Sequence, residues 1–284
     1  MQIQKLAVVG CGTMGAGIIQ VAAQTGLEVV GVETDGDRVE AADQRIRAGL
    51  ARTAQRGKIT PAQAEAAVGR YSLSTDLASI KDADLVVEAV FEDVDLKTGI
   101  LAEIDQLVGP DTYLASNTST IPLVILAGAT SRPERVVGLH FFNPVPAMKL
   151  VEVIRTPVTE QPHIDTLVAF AEHLGKSPVV VNDVPGFIGN LLIVPYLCDA
   201  IRAYERGVAD MESIDSVLTL GFNHPMGPFR LSDLIGLDIV HDMAASMYEE
   251  YKDPRYFPPP LLKQYVRLGW LGRKTGRGFY RYDD

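Results

Sequence analysis

Leu6-Ala7-Val8-Val9-Gly10-Cys11-Gly12-Thr13-Met14-Gly15 is a short apolar run that breaks into three glycines. Apolar residues at helical spacing follow at once (Ile18, Ile19, Ala22), Gly26 stops them, and a second apolar run from Leu27 to Val32 ends in Glu33. The order strand, glycine turn, helix, strand, acid predicts the βαβ unit that holds a dinucleotide. In that unit the first glycine makes the turn, the second lets backbone approach a pyrophosphate, and the third lets helix and strand pack closely. Gly10, Gly12, Thr13, Met14 and Gly15 are therefore the predicted cofactor turn, with N–H groups and the helix dipole facing the phosphates. Glycine turns also occur for packing alone. The flanking elements and an acid 18 residues beyond Gly15 favour the cofactor. Glu33 at the end of the second strand accepts from ribose hydroxyls and repels a 2′-phosphate, which predicts NAD over NADP.

The chain has 284 residues, 47% of them hydrophobic, enough for one large or two modest domains. A net charge of −10 argues against nucleic acid or an anionic membrane as partner, although an anionic small molecule answers to local charge. Two cysteines, Cys11 and Cys198, make no disulfide framework and fit a reducing compartment. The apolar N-terminus lacks a basic leader and a small-residue cleavage site, and no apolar run reaches a membrane span. The expectation is a cytoplasmic protein.

Strands are predicted at 85–90, 113–116, 136–142, 148–154 and 179–181, and helices at 95–107 and 163–174. Such alternation means a mainly parallel sheet covered by helices. After Asn182-Asp183-Val184-Pro185-Gly186 the pattern turns helical, with helices at 187–206, 212–220, 231–251 and 261–268 and a last strand at 278–282. The predicted architecture is α/β, a doubly wound Rossmann-type domain over 1–184 and an all-helical domain over 185–284.

Ser116-Asn117-Thr118-Ser119-Thr120 directly follows a predicted strand, where open α/β sheets bind ligands; Ser and Asn also serve ordinary turns. His140 ends another strand, and Glu152 lies on the next. A histidine beside phenylalanines is often a satisfied core residue. Alternatively, a carboxylate that accepts the Nδ1 hydrogen fixes the tautomer and leaves Nε2 to serve as a base. Alcohol oxidation by hydride transfer needs such a base. From the residues alone, both readings of the pair stand. Arg45, Arg52 and Arg56 share one helical face, with Lys58 following, and suit either a solvated surface or phosphates.

Taken in order, the glycine turn, S-N-T-S at 116–119, H-F-F-N-P at 140–144, P-G-F-I-G-N at 185–190, H-P-M-G-P at 224–228, D-L-I-G-L-D at 233–238 and L-G-R-K-T-G-R-G-F-Y at 271–280 resemble the L-3-hydroxyacyl-CoA dehydrogenase family over nearly the whole chain. The resemblance implies a short-chain enzyme that interconverts L-3-hydroxybutyryl-CoA and acetoacetyl-CoA with NAD, and the apolar content of the helical domain predicts a homodimer built on it. It implies His140 as the base, Glu152 as its orienting acid, and Ser119 and Asn190 as holders of the substrate's reacting oxygens. It further implies cofactor contacts at Glu92, Lys97, Ser119 and Asn143, and CoA contacts at Arg52 and Arg56. Gly189 and Leu191 depart from the family's larger apolar residue and arginine, and Glu33 replaces its more usual aspartate.

A dehydrogenase of a free hydroxy acid and a noncatalytic relative are the alternatives; the basic 45–58 segment argues against the first and the intact polar set against the second. Glu88, mid-strand, reads as structural, and Gly272–Gly278 as a domain-closing turn. His163 lies at a predicted helix start and His173 in its last turn, where an imidazolium interacts with the helix dipole, and His224 and His241 have no carboxylate or cysteine partners at ligand spacing, so no metal site is expected.

Overall fold

The computed structural model describes residues 3–282, which divide into two compact units between Val184 and Pro185. Within 3–184, eight strands form one sheet: β1 (Lys5–Val9), β2 (Glu28–Val32), β3 (Tyr71–Ser74), β4 (Leu85–Glu88), β5 (Tyr113–Ser116), β6 (Val136–Phe141), β7 (Leu150–Arg155) and β8 (Ser177–Asn182). Their spatial order is β3-β2-β1-β4-β5-β6-β7-β8. The first six are parallel, β6 and β7 pair antiparallel, and β8 runs parallel to β7. The order reverses at β1/β4, the topological switch where doubly wound sheets open a crevice beyond their carboxyl ends.

The helices of this unit are α1 (Thr13–Gln24), α2 (Gly36–Gln55), α3 (Pro61–Val68), α4 (Val94–Leu107), α5 (Leu123–Ala127) and α6 (Gln161–His173). Leu6, Val8, Ile18, Ile19, Leu85 and Val87 are at most 1% exposed and form the core between strands and helices. Burying such side chains stabilises by about 1.5–3 kcal/mol each. Asp35, Thr60 and Asp93 cap α2, α3 and α4 through their side chains. Each cap contributes roughly 1 kcal/mol.

The strand expected at 85–90 ends at Glu88, because its own carboxylate takes the Val90 N–H at 2.7 Å. The strand expected from 148 begins at Leu150, because the Ala147 and Met148 amides close a turn on the Pro144 carbonyl. Sequence reading missed β3, a half-exposed edge strand, and the short helices α3 and α5.

The second unit is helical: α7 (Gly189–Glu205), α8 (Met211–Ser216), α9 (Pro228–Ile235), α10 (Leu237–Tyr251) and α11 (Pro260–Arg267). Its core includes Leu197, Ile201, Phe229, Leu237, Val240 and Leu262. The single helix expected at 231–251 is two. Gly236 sits at φ +108°, and the Leu237 N–H bonds to Leu271 O, so the helical ladder breaks there. The helix expected to reach 220 loosens at Val217–Gly221 into a π-helical turn. The strand expected at 278–282 is absent among the described residues. The Phe279 and Tyr280 amides donate to the buried Asp233 carboxylate at 2.8 and 2.9 Å, leaving only isolated bridges.

Candidate active site

The three glycines of the first turn differ in what surrounds them. Gly10 has φ +90°, and a Cβ there would lie 2.8 Å from Ala89 O, where the chains leaving β1 and β4 pass each other. A Cβ at Gly15 would lie 1.9 Å from Gly10 O. Both positions exclude side chains for reasons internal to the fold. At Gly12 a Cβ meets no protein atom within 4 Å. Protein packing therefore does not account for Gly12, whereas close approach of a pyrophosphate does. No side chain caps α1, which leaves its first N–H groups without a side-chain acceptor, with Thr13 exposed and Met14 packed against the core. The turn thus fits a dinucleotide. Glu33, next after β2, accepts the Cys11 N–H at 2.7 Å and the Thr34 N–H at 3.2 Å, which fixes the carboxylate beside the turn. Burial, first, and the Glu33 charge push the Cys11 thiol up to about 12.

β4 and β5 carry the next group. Glu88, fully buried, accepts from Lys97 Nζ at 2.8 Å and from Ser116 Oγ at 2.6 Å. Ser116 Oγ in turn accepts the Thr118 N–H at 3.1 Å. Glu92 gathers the rest of the turn: its Oε1 accepts from Thr118 Oγ1 at 2.7 Å, the Ser119 N–H at 2.7 Å and the Thr120 N–H at 2.9 Å. Its Oε2 lies 3.3 Å from Lys97 Nζ. Burial raises the Glu92 pKa, but the Lys97 ammonium and these hydrogen bonds outweigh it, and the carboxyl sits below its usual range. Lys97 itself is 1% exposed. Asn117 Oδ1 accepts the Phe141 N–H at 3.0 Å, tying the turn to the end of β6.

His140 and Glu152 stand directly opposite each other in the antiparallel β6/β7 register. Nδ1 lies 2.7 Å from Glu152 Oε2, and the residues are 7% and 2% exposed. A carboxylate in that place selects the tautomer with hydrogen on Nδ1 and stabilises an imidazolium when one forms. The ring centroid of Phe142 lies 4.7 Å away and buttresses the imidazole.

Arg45, Arg52, Arg56 and Lys58 line a single cleft of about 310 Å³ with Thr13 and Asn143. Gly49 lets α2 approach α1, since a Cβ there would lie 2.1 Å from Gln20 Oε1, and Gln20 Nε2 donates to Thr53 Oγ1 at 3.1 Å. That contact sets the basic face of α2 beside the start of α1. Residues named for cofactor (Thr13, Asn143) and for substrate (Arg52, Arg56) thus share one cleft. Asn190, 7% exposed, lies in the second unit on the first turn of α7, its N–H donating to Gly186 O at 3.0 Å.

Glu88 and Thr118 were not among the site residues read from sequence. Glu88 stands nine residues from Lys97, across a strand end, a loop and a helix start, a spacing that no periodicity marks. Among the described residues no cluster of three metal-ligating side chains occurs, and no helix is long and apolar enough to cross a membrane.

The chain is similar to known proteins along its whole length. Residues 5–184 match the family "3-hydroxyacyl-CoA dehydrogenase, NAD binding domain", and residues 186–282 match "3-hydroxyacyl-CoA dehydrogenase, C-terminal domain". A 3-hydroxybutyryl-CoA dehydrogenase of Mycobacterium tuberculosis is 48% identical over 282 residues, covering 99% of each chain. A probable 3-hydroxybutyryl-CoA dehydrogenase of Bacillus subtilis is 44% identical over 284 residues, covering 100% of this chain and 99% of its own. The crystal structure of (S)-3-hydroxybutyryl-CoA dehydrogenase from Ralstonia eutropha superposes with a TM-score of 0.94 at 41% identity, covering 100% of both chains. With both domains matched and relatives this similar over their full length, the chain belongs to the 3-hydroxyacyl-CoA dehydrogenase family, and its N-terminal domain is an NAD-binding domain of Rossmann type.

Proposed function

We propose that this protein catalyses reversible, NAD-dependent oxidation of L-3-hydroxybutyryl-CoA to acetoacetyl-CoA. The observation that carries the reading is the buried His140–Glu152 pair, joined at 2.7 Å across two strands. A core histidine has no need of a charged partner, and burying a carboxylate costs several kcal/mol unless it is paired and hydrogen-bonded. A base that takes a proton as an alcohol is oxidised needs such a partner.

In this reading Gly10, Gly12, Thr13, Met14 and Gly15 receive the pyrophosphate, and Glu33 receives the adenine ribose and disfavours a 2′-phosphate. Glu92, Lys97, Ser119 and Asn143 border the nicotinamide end. When bound, NAD supplies the hydride-accepting chemistry. His140 Nε2 removes the proton of the C3 hydroxyl, and Glu152 stabilises the imidazolium that results. In the reductive direction the same nitrogen returns the proton. Ser119 and Asn190 hold the reacting oxygens, and Arg52 and Arg56 attract the phosphates of CoA. The relatives named as 3-hydroxybutyryl-CoA dehydrogenases support a short acyl chain.

Exposed apolar side chains of the second unit, Leu192, Val217, Leu220 and Phe222, support a homodimer; a monomeric mass by light scattering at micromolar concentration would sink that part. Two free, buried cysteines support a reducing, cytoplasmic setting; a periplasmic or secreted pool in cell fractionation would count against it. The reading as a whole is tested by mixing the protein with acetoacetyl-CoA and following NADH and, separately, NADPH. Rapid NADH loss with little NADPH loss supports substrate and cofactor together. Rapid NADPH loss removes the Glu33 argument, and no loss of either overturns the assigned reaction.

A further inference from the structure

Lys97 is the most completely enclosed cation among the described residues, and the reaction as proposed gives it no proton to carry. Its ammonium is 2.8 Å from Glu88 Oε1, 3.2 Å from Val90 O and 3.3 Å from Glu92 Oε2. The two carboxylates it joins do separate work. Glu88 Oε2 takes Ser116 Oγ, which takes the Thr118 N–H, and so holds the start of the 116–120 turn. Glu92 Oε1 takes the Ser119 and Thr120 amides and so holds its end.

We propose that Lys97 and Glu88 are positioning residues, forming a charge lock that places Ser119 by keeping Glu92 under the 116–120 turn. The lock rests on the reading of Ser119 as a substrate contact, but its geometry stands without it.

Removing the ammonium leaves two carboxylates facing one site. Like charges that close, in a site with little water, do not both stay ionised and in place. The Glu88 side chain is 0% exposed and bound at both oxygens, whereas 35% of the Glu92 side chain is exposed. Glu92 is therefore the one to swing out, and it takes with it the acceptor of the Ser119 and Thr120 amides. The groups facing the ammonium are Glu88 from β4 and, from the loop after it, Glu92 and the Val90 carbonyl. The turn packed above contributes hydroxyls and amides, and Asp93 on the α4 side is engaged as a cap with the Leu96 N–H. A proton on either glutamate replaces the missing positive charge, so the defect of Lys97→Met fades as pH falls. Lys97→Met combined with Glu88→Gln removes the repulsion at neutral pH while preserving shape.

The test is hydrogen exchange at the Ser119 and Thr120 amides in the ligand-free protein, read as the ratio of variant to wild type at each pH. For Lys97→Met the ratio is expected to be tenfold or more at pH 7.5 and to shrink toward one near pH 5. For the double variant it is expected to stay within threefold at both. A ratio below twofold in Lys97→Met, a ratio that ignores pH, or an equal ratio in the double variant overturns the proposal. A Lys97→Met protein that fails to fold while the double variant folds supports the lock; failure of both overturns it. Kinetics give a second reading. The lock predicts a kcat for acetoacetyl-CoA reduction, at saturating NADH, at least tenfold lower in Lys97→Met. A raised KM for NADH with unchanged exchange marks Lys97 as a cofactor contact alone and overturns the lock. An inactive wild type refutes the proposed reaction while leaving the exchange result to decide this one.

Discussion

Glu152→Gln removes the charge behind His140 and little else, since the two side chains have nearly the same shape. The carboxylate sits 2.7 Å from Nδ1 and is 2% exposed, so bulk water does little to screen it. At an effective dielectric of about 20, unit charges roughly 4 Å apart attract by about 4 kcal/mol. A hydrogen bond to a charged group contributes about 1.5–3 kcal/mol against roughly 0.5–1.5 for a neutral one. A glutamine that presents its carbonyl to Nδ1 keeps the tautomer and the weaker bond, and loses about 3 kcal/mol of imidazolium stabilisation. At about 1.4 kcal/mol per tenfold, that lowers kcat by roughly 100-fold or somewhat more. A glutamine that presents its amide inverts the tautomer and costs up to about 10⁴-fold, as in other histidine–carboxylate pairs. The assay is steady-state oxidation of L-3-hydroxybutyryl-CoA by NAD, the direction in which the imidazolium forms, with circular dichroism to confirm the fold and a titration of NADH. The affinity for NADH should hold, because the pair is no part of the glycine turn. His140→Gln should fall by at least a similar factor. A Glu152→Gln enzyme whose kcat stays within threefold of wild type would refute the role assigned to the pair.

Gly12→Ala should leave the unfolding free energy within about 0.5 kcal/mol, because the new methyl touches no protein atom, yet weaken NADH binding tenfold or more. Gly15→Ala places a Cβ 1.9 Å from a backbone oxygen and should destabilise the fold by several kcal/mol. Equal stability of the two variants by denaturant unfolding would contradict the division of labour drawn here. Arg52→Ala and Arg56→Ala should each raise KM for the CoA thioester about fivefold at low salt, with unchanged melting temperature and a smaller effect at high salt. A KM unaffected in the double variant would remove the basic cleft from substrate binding.

The parts of this protein that could be read from sequence are those whose physics is local. The Gly10–Gly15 turn is one: its spacing marks the strand-to-helix turn, and Gly15 answers to a contact within the same βαβ unit, although the carbonyl that excludes a side chain at Gly10 comes from Ala89 beyond β4. The break at Val184 and the helical character beyond it are another, since apolar periodicity changes there. β3 escaped because Tyr-Ser-Leu-Ser at a half-exposed sheet edge carries almost no alternation. Gly236 escaped because a glycine inside an amphipathic run breaks a helix only when something else takes the next amide, and that something, the Leu271 carbonyl, lies far along the chain. His140 and Glu152 could be nominated but not joined. Twelve residues apart on successive strands, they meet only because β7 turns antiparallel and pairs 140 with 152, a register that a one-residue slip would send to opposite faces. Glu88 was read as structural, and in contact terms it is: it touches no candidate substrate atom. Burying a carboxylate beside a lysine costs free energy that a leucine in the same strand would not. The site offsets that cost by what the pair holds, namely both ends of the turn that carries Ser119. A buried charge in a strand whose neighbours are all apolar is therefore better read as a sign of something held nearby than as part of the core. Which partner it holds, only the fold discloses.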